Sequence, residues 1–556
     1  MGIDDAPKHA VETAPDPVTR WAIPVLTVVA AVFGLVGVGW GLSDIDPSWG
    51  RWVNPFEFVS RHPDEPLLVT GGLYFATGMD PAEKFFHWGG TGEFFVAQVI
   101  ATVLLFPADA TPETVLSSHS VGLILAGRMF SVAAGIVTVL LLYHVGAGFF
   151  NRRAGFVGAL LFAVSGLYVE TAAQFRPDLP SACGIALCLA GCASTREGRD
   201  WRGMLLSGIG AGVAAAFRGP NGIIVLVVAP ALIQAARRSG PRTAAKLAAI
   251  LAGAAAAMYA LLSHQSLLHP GFAFSFFRRV GELSRGAFVE SIGRDPLLWY
   301  AAAILPAQAI GPAATLGSYL GLVLGLHRRN RAVVPFAIGF VAFAVSLATL
   351  KIHMARYLLP LWVLLVLPCA SLLCGSGPPP CRRRIAFLIA VIALTAATGV
   401  ERLWLRTRQD TRAQAESWLD ANLPPGPGLG SLTLGSVHSA AWPSIERHDP
   451  KLFVAGEYTQ AHGFARLTDA PIDVWIVHEQ DWRTVNRVGD RHPHREDARF
   501  LAGMRAGVAP DGSRWERIAA FGLPVLFPGL VPPRIDEPDD YLVVSPGIEI
   551  YRRRPR

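Results

Sequence analysis

Up to about residue 400 the chain alternates long apolar runs with short turns rich in arginine. A helix needs roughly 20 apolar residues to cross the hydrocarbon core, and somewhat fewer where flanking side chains snorkel. Runs at 21–42, 121–147, 154–175, 180–195, 203–217, 221–236, 245–264, 300–326, 333–350, 357–374 and 385–400 predict about eleven spans, of which the fourth to sixth are short. The connections carry Arg152 and Arg153; Arg196, Arg199 and Arg202; Arg237, Arg238 and Arg242; Arg328, Arg329 and Arg331; and Arg382, Arg383 and Arg384. All of these fall on one side, the cytoplasmic one, if the N-terminus is cytoplasmic.

That rule decides how residues 94–106 are read. They are apolar but too few to span, and a crossing there would invert every later basic turn. They are expected to form a helix lying in the outer interface. The same holds for 265–299, where Phe272, Phe274, Phe276 and Phe277 mix with Arg278, Arg279, Glu282 and Arg285. Beyond Glu401 the chain turns polar, with a helical pattern over 413–423, a Pro424-Pro425-Gly426 stop, and strand-like runs at Val474-Trp475-Ile476-Val477 and Tyr541-Leu542-Val543-Val544. The expected fold is a polytopic α-helical membrane protein with a small C-terminal extracytoplasmic α/β domain. Its parts are a cytoplasmic tail over 1–20, a transmembrane domain over 21–400 with outer loops 43–120 and 265–299, and an outer domain over 401–556.

Composition agrees: 52% of residues are hydrophobic and 16% charged, and the mean hydropathy is +0.38, which is too apolar for an ordinary soluble enzyme. A cell-membrane location follows, in the inner or plasma membrane. The net charge of +7 resides largely in the short turns, so topology explains it better than nucleic-acid binding does. The first apolar run has no Ala-x-Ala-type site after it and reads as a retained anchor. Cys183, Cys188, Cys192, Cys369, Cys374 and Cys381 fall in predicted spans or on the cytoplasmic side, and the spacing of the first three is not that of a zinc site. The glycines at 34, 37, 39 and 41 and at 208, 210 and 212 follow no strand, so they read as helix-packing positions and not as phosphate loops.

Chemistry concentrates in the outer segments. Arg61-His62-Pro63-Asp64-Glu65 is followed by Lys84, His87 and Trp88. A carboxylate held beside a reacting centre by an imidazole or guanidinium can serve as a base, whereas the bland reading makes Asp64 and Glu65 solvated charges or a helix N-terminal cap after Pro63. Arg176-Pro177-Asp178 sits where the third span meets the outer surface. Arg176 suits a phosphate and Asp178 a sugar hydroxyl; alternatively, Asp178 caps the next span. Lys351, His353 and Arg356 place positive charge outside, against the usual bias, for an anionic head group or through snorkelling. Arg128 and Arg218 are expensive in lipid and require protein partners or a wet cavity. The tail's Trp442, Trp475, Trp482 and Trp515 fit core packing better than sugar stacking. No cofactor is demanded; His62, Asp64, Glu65 and His87 offer ligands for a divalent metal, without a zinc spacing.

The order and sidedness of these motifs resemble the lipid-phosphate-dependent glycosyltransferases of the GT-C superfold, in the protein mannosyltransferase and aminoarabinose transferase branch often called family 39. His62-Pro63-Asp64-Glu65 is similar to that branch's acidic motif in the first outer loop. Gly127-Arg128-Met129-Phe130-Ser131 leading to Asn151-Arg152-Arg153-Ala154-Gly155 resembles its second span and turn. Arg356-Tyr357-Leu358-Leu359-Pro360 resembles its late motif, and Trp418 to Pro424 the start of its outer region. His87-Trp88-Gly89-Gly90 departs from the Tyr-Pro-Pro-Leu-like turn of many relatives. The resemblance implies sugar transfer from a polyprenyl-phosphate donor to a protein, lipid or polysaccharide acceptor at the outer membrane face. It implies Asp64 as the catalytic carboxylate with Glu65 beside it, and Lys84, Arg176, Asp178, His353 and Arg356 as donor-binding residues. A multi-span transporter or flippase of a lipid-linked or anionic substrate is the alternative from another class, and a non-catalytic assembly factor a third.

Overall fold

The computed structural model describes residues 17–40, 64–76, 92–105, 112–196, 198–268, 300–301, 309–349, 355–375, 382–423, 428–433, 451–454, 472–488, 495–523, 526–527 and 547–555. It is a helical membrane domain followed by a small sheet domain. The membrane domain runs α1 (Pro17–Leu35), α2 (Asp64–Ala76), α3 (Gly92–Leu105), α4 (Pro112–Phe149), α5 (Arg152–Ala163), α6 (Gly166–Ala172), α7 (Asp178–Arg196), α8 (Asp200–Phe217), a 3₁₀ helix (Gly219–Val228), α9 (Ala229–Ser239), α10 (Pro241–Leu262) and α11 (His264–Leu268). It continues through α12 (Pro312–His327), α13 (Val334–Ala348), a 3₁₀ turn (Ala355–Leu358), α14 (Leu359–Cys374) and α15 (Arg382–Arg406). Among the described residues six helices are long and apolar enough to cross a membrane, or seven if the bent α5–α6 pair counts as one.

The helices divide into a buried centre and a lipid-facing shell. About three quarters of the most apolar stretch of α7 and of α14 is buried, against 11% of that of α10. Val25, Val28 and Val32 of α1, Val341 and Val345 of α13, and Phe387 and Ile389 of α15 are exposed; such side chains suit lipid and not water. Small residues bring the central helices together. A Cβ on Gly210 would lie 2.3 Å from the Cys188 backbone nitrogen and one on Gly184 2.4 Å from that of Ala214, so α7 and α8 touch backbone to backbone. Gly208 and Gly212 meet α10 in the same way, at the carbonyls of Leu251 and Ala255. These glycines pack helices, as expected.

The run at 154–175 is not one continuous helix: α5 and α6 meet at a 59° bend. Ser165 caps α6, its Oγ accepting from the backbone N–H of Tyr168, while Trp362 Nε1 donates to the same oxygen (3.2 Å). The Gly166 N–H goes to Thr398 Oγ1 (2.9 Å). These polar partners satisfy the backbone that the break releases, the condition for such a break at membrane depth. The helix expected over 94–106 is present as α3, packed on α2 through Phe75 and Phe94 (ring centroids 6.2 Å apart). Most of 265–299 lies outside the described residues.

The tail contains α16 (Thr411–Asn422), β1 (Leu429–Thr433), β2 (Lys451–Val454), β3 (Val474–His478), α17 (Glu479–Val488), α18 (Arg495–Arg505), β4 (Trp515–Phe521) and β5 (Ile548–Arg553). The strand order is β2-β1-β3-β5-β4, with β1 parallel to β2 and β3 and β5 antiparallel to β3 and β4. β3 is buried on both faces, in keeping with its unbroken apolar run. Trp475 and Val477 join Phe500, Leu501 and Trp515 in one core, and Val474 and Ile476 join Ala415 and Leu419 of α16 in the other. Trp475 and Trp515 are core residues as expected, Trp482 lies under the Arg505 guanidinium (3.9 Å), and Trp442 and 541–544 lie outside the described residues.

Candidate functional site

The charged residues that the sequence singled out collect at one end of the helical domain. α7 runs from Asp178 at one end to Arg196 at the other, and α8 returns from Asp200 to Arg218. Asp178 and Arg218 therefore meet at the end opposite the Arg196, Arg199 and Arg202 turn. Arg356 precedes α14 at that same end, since its ring contact is with Tyr357, which also carries Arg218.

The first component is a closed clamp. Glu65 in the first turn of α2 and Arg128 in α4 are both fully buried. Arg128 Nε donates to Glu65 Oε1 (2.8 Å) and Nη2 to Oε2 (2.6 Å). Its Nη1 donates to the carbonyls of Val38 (2.6 Å) and Trp40 (2.7 Å), just beyond α1. Glu65 Oε1 also accepts the backbone N–H of Phe175 (2.7 Å). The bidentate geometry is the strong form of the pair, and the added hydrogen bonds supply what a buried ion pair needs to offset its desolvation. One side-chain pair thereby ties α1, α2, α4 and the α6–α7 connection together, and it fixes the start of α2, where Asp64 is the first residue, beside Arg176.

The second component is an open chain of charges. Arg218 pairs with Asp178 Oδ1, and Arg176 Nε lies 3.5 Å from Asp178 Oδ2. Arg176 Nη1 donates to Gln174 Oε1 (3.3 Å), Gln174 Nε2 to Glu170 Oε1 (2.9 Å), and Arg406 Nη2 to the same oxygen (3.1 Å). On the other side the Arg218 guanidinium lies 4.2 Å from the centre of the Tyr357 ring and that of Arg356 lies 5.6 Å from it. Arg176, Asp178 and Arg356 are almost fully buried. Two guanidiniums on the Asp178 carboxylate, with Arg356 at the Tyr357 ring, leave an excess of positive charge among these described residues in a low-dielectric place, where it acts strongly on an anion.

Of the residues expected in the site, Glu65, Arg176, Asp178 and Arg356 thus stand at one end of the helices, with Asp64 at the head of α2. Lys84 and His353 lie outside the described residues, as do His62 and His87. Arg128, expected to need an internal partner, has Glu65. Glu93 escaped the sequence reading altogether, and so did the links through Glu170 and Gln174. The signal for Glu93 was present: a single acid heading the otherwise apolar Phe94-Phe95-Val96 run.

Residues 120–268 match the family described as dolichyl-phosphate-mannose-protein mannosyltransferase. Among solved structures, the chain is similar to the oligosaccharyltransferase AglB of Archaeoglobus fulgidus in complex with an inhibitory peptide and a dolichol-phosphate, at 12% identity, TM-score 0.47, covering 92% of this chain and 75% of that one. It is also similar to ArnT of Cupriavidus metallidurans bound to undecaprenyl phosphate, at 13% identity, TM-score 0.47, covering 84% and 95%. The S. cerevisiae protein O-mannosyltransferase Pmt1-Pmt2 complex bound to its sugar donor matches at 19% identity, TM-score 0.30, over 47% of this chain and 35% of that one. No curated protein is matched. Arg128, Arg176, Asp178 and Arg218 all fall inside the matched stretch 120–268, and the matched family lies in the branch that the sequence motifs resemble.

Proposed function

We propose that this protein is a membrane glycosyltransferase that moves a sugar from a polyprenyl-phosphate-linked donor to an acceptor at the outer face of the membrane. The observation that carries this reading is the convergence of Arg176, Arg218 and Arg356 around Asp178 and Tyr357 at the end of the helices away from the arginine turns. The departing lipid phosphate keeps its charge and needs positive stabilisation more than an acid. These guanidiniums supply that charge, with Lys84 from the first outer loop. Asp64 serves as the base that takes the proton of the acceptor, and Glu65 holds it in place through Arg128. The similarity to proteins described with dolichol-phosphate, undecaprenyl phosphate and a bound sugar donor supports the substrate class. In the full topology about eleven spans place the N-terminus inside, and the loops 43–120 and 265–299 and the tail 401–556 outside.

The test is transfer itself. Purified protein in lipid nanodiscs, supplied with polyprenyl-phosphate sugars and analysed by mass spectrometry, is expected to release the lipid phosphate and glycosylate an acceptor. Asp64→Asn is expected to lower the rate by about 10²-fold or more. Undiminished rate in that variant removes Asp64 as the base. A wild-type chain that carries the donor across the bilayer without breaking its glycosidic bond is a flippase instead.

A further inference from the structure

Helix α3 holds a buried acid that the proposed function has not used. Its first turn sits on the last turn of α8, where a Cβ on Gly92 would lie 3.1 Å from the Ala216 carbonyl oxygen. Arg218 follows α8 directly, so the next residue of α3, Glu93, arrives at the Asp178–Arg218 pair. Glu93 is 1% exposed, and neither carboxyl oxygen has a hydrogen-bond partner on another described residue. Such a group costs stability, and its neighbours on α3 are Phe94, Phe95 and Val96. A leucine would fold better there. A buried polar atom left in this condition calls for a ligand.

We propose that Glu93 is a sugar-binding carboxyl of this site, holding a hydroxyl of the transferred group between itself and the Asp178–Arg218 pair. The inference rests on the glycosyltransferase reading and adds to it a residue outside the acidic loop motif. Burial pushes the Glu93 carboxyl well above the usual carboxylate range; its own backbone N–H opposes this, Asp178 adds to it and Arg218 counters. On the helices packed against α3, Glu65 of α2 and Arg128 of α4 neutralise each other, Asp64 heads α2 and Glu113 lies in the first turn of α4. Asp200 and Arg202 of α8 lie at its far end, and the His264 ring of α11 meets Phe95 (centroids 5.6 Å apart). A protonated carboxyl has one donor and one strong acceptor, a match for a hydroxyl and its neighbouring oxygen. It also adds no negative charge where a phosphate must bind.

Three variants of the full chain in nanodiscs test this, with two readouts: transfer from the polyprenyl-phosphate sugar and binding of sugar-free undecaprenyl phosphate. Glu93→Leu is expected to lower transfer by about tenfold or more, to leave undecaprenyl phosphate binding unchanged, and to unfold no earlier than the wild type. Glu93→Gln keeps a donor and an acceptor and is expected to transfer within about threefold of the wild type. It is also expected to lose the fall in rate at high pH that ionisation of Glu93 produces. Arg176→Lys leaves Glu93 in place and keeps the fall. Three results overturn the assignment: full transfer by Glu93→Leu, equal losses of transfer and phosphate binding in Glu93→Leu, or a Glu93→Gln variant as impaired as Glu93→Leu. Failure of the wild type to transfer any sugar overturns instead the function on which the assignment rests.

Discussion

Glu65 and Glu93 are both fully buried acids at the heads of α2 and α3, two helices that pack on each other, yet their surroundings differ in kind. Glu65 has both oxygens taken, by the fork of Arg128 and the N–H of Phe175. Glu93 has neither taken by another described residue. A carboxylate whose two oxygens are both engaged within the fold can orient its neighbours but has little left for a substrate. The second kind has its whole hydrogen-bonding capacity in reserve. On the proposed function, adjacent helices divide the work, with α2 fixing the loop acid Asp64 and α3 meeting the ligand.

The largest effect that can break this contrast is loss of the clamp. Arg128→Ala strands Glu65 as an uncompensated buried charge and is expected to cost about 3–5 kcal/mol of stability, seen as a lower unfolding midpoint in detergent. The pair Glu65→Leu with Arg128→Met removes both charges and is expected to cost less than Arg128→Ala alone. Equal costs would make Glu65 and Arg128 independent, and the clamp would be gone. Glu93→Leu is expected to do the opposite, with stability kept and transfer lost. A Glu93 variant that unfolds as early as Arg128→Ala would erase the difference between the two acids.

The smallest effect concerns a third buried group, in the tail. His478 at the end of β3 is 3% exposed, and burial, with Arg412 adding and Asp410 opposing, pushes its imidazole down from 6.5 to about 3. A depressed native value means that the unfolded chain takes up the proton first as the pH falls. The stability that neutral His478 confers is therefore complete above its unfolded pKa of 6.5 and lost progressively toward about 3. The tail's thermal midpoint, followed by near-ultraviolet circular dichroism, is expected to drop between pH 7 and pH 5. That drop is expected to shrink in His478→Gln.

What the sequence could reveal followed the range of its signals. Periodicity and length point to helices, because an apolar run of span length has few alternatives, and the short run at 94–106 is helical too, as part of α3. The bend between α5 and α6 was invisible, since Ser165 is an ordinary residue until Trp362 is beside it, 197 residues away in the chain. The Arg176-Pro177-Asp178 group could be read two ways from its spacing. Only the fold brings Arg218, 40 residues further on, to Asp178. Arg128 was recognised as costly, but its partner lies 63 residues earlier. Glu93 was passed over because a lone acid in an apolar run has no motif; its meaning lies in the absence of a described partner, a property of three-dimensional packing alone.

On the proposed function, the arginines around Asp178 and Tyr357 receive a lipid phosphate. Native mass spectrometry of the protein with undecaprenyl phosphate measures this, on wild type, Arg356→Ala and Arg218→Ala, with Arg383→Ala at the opposite end of the helices, in the first turn of α15, as the control. The expected result is binding by the wild type and by Arg383→Ala, with each site variant weakened by about tenfold or more, the loss of one charge-assisted contact. Equal affinity in all four proteins would contradict it.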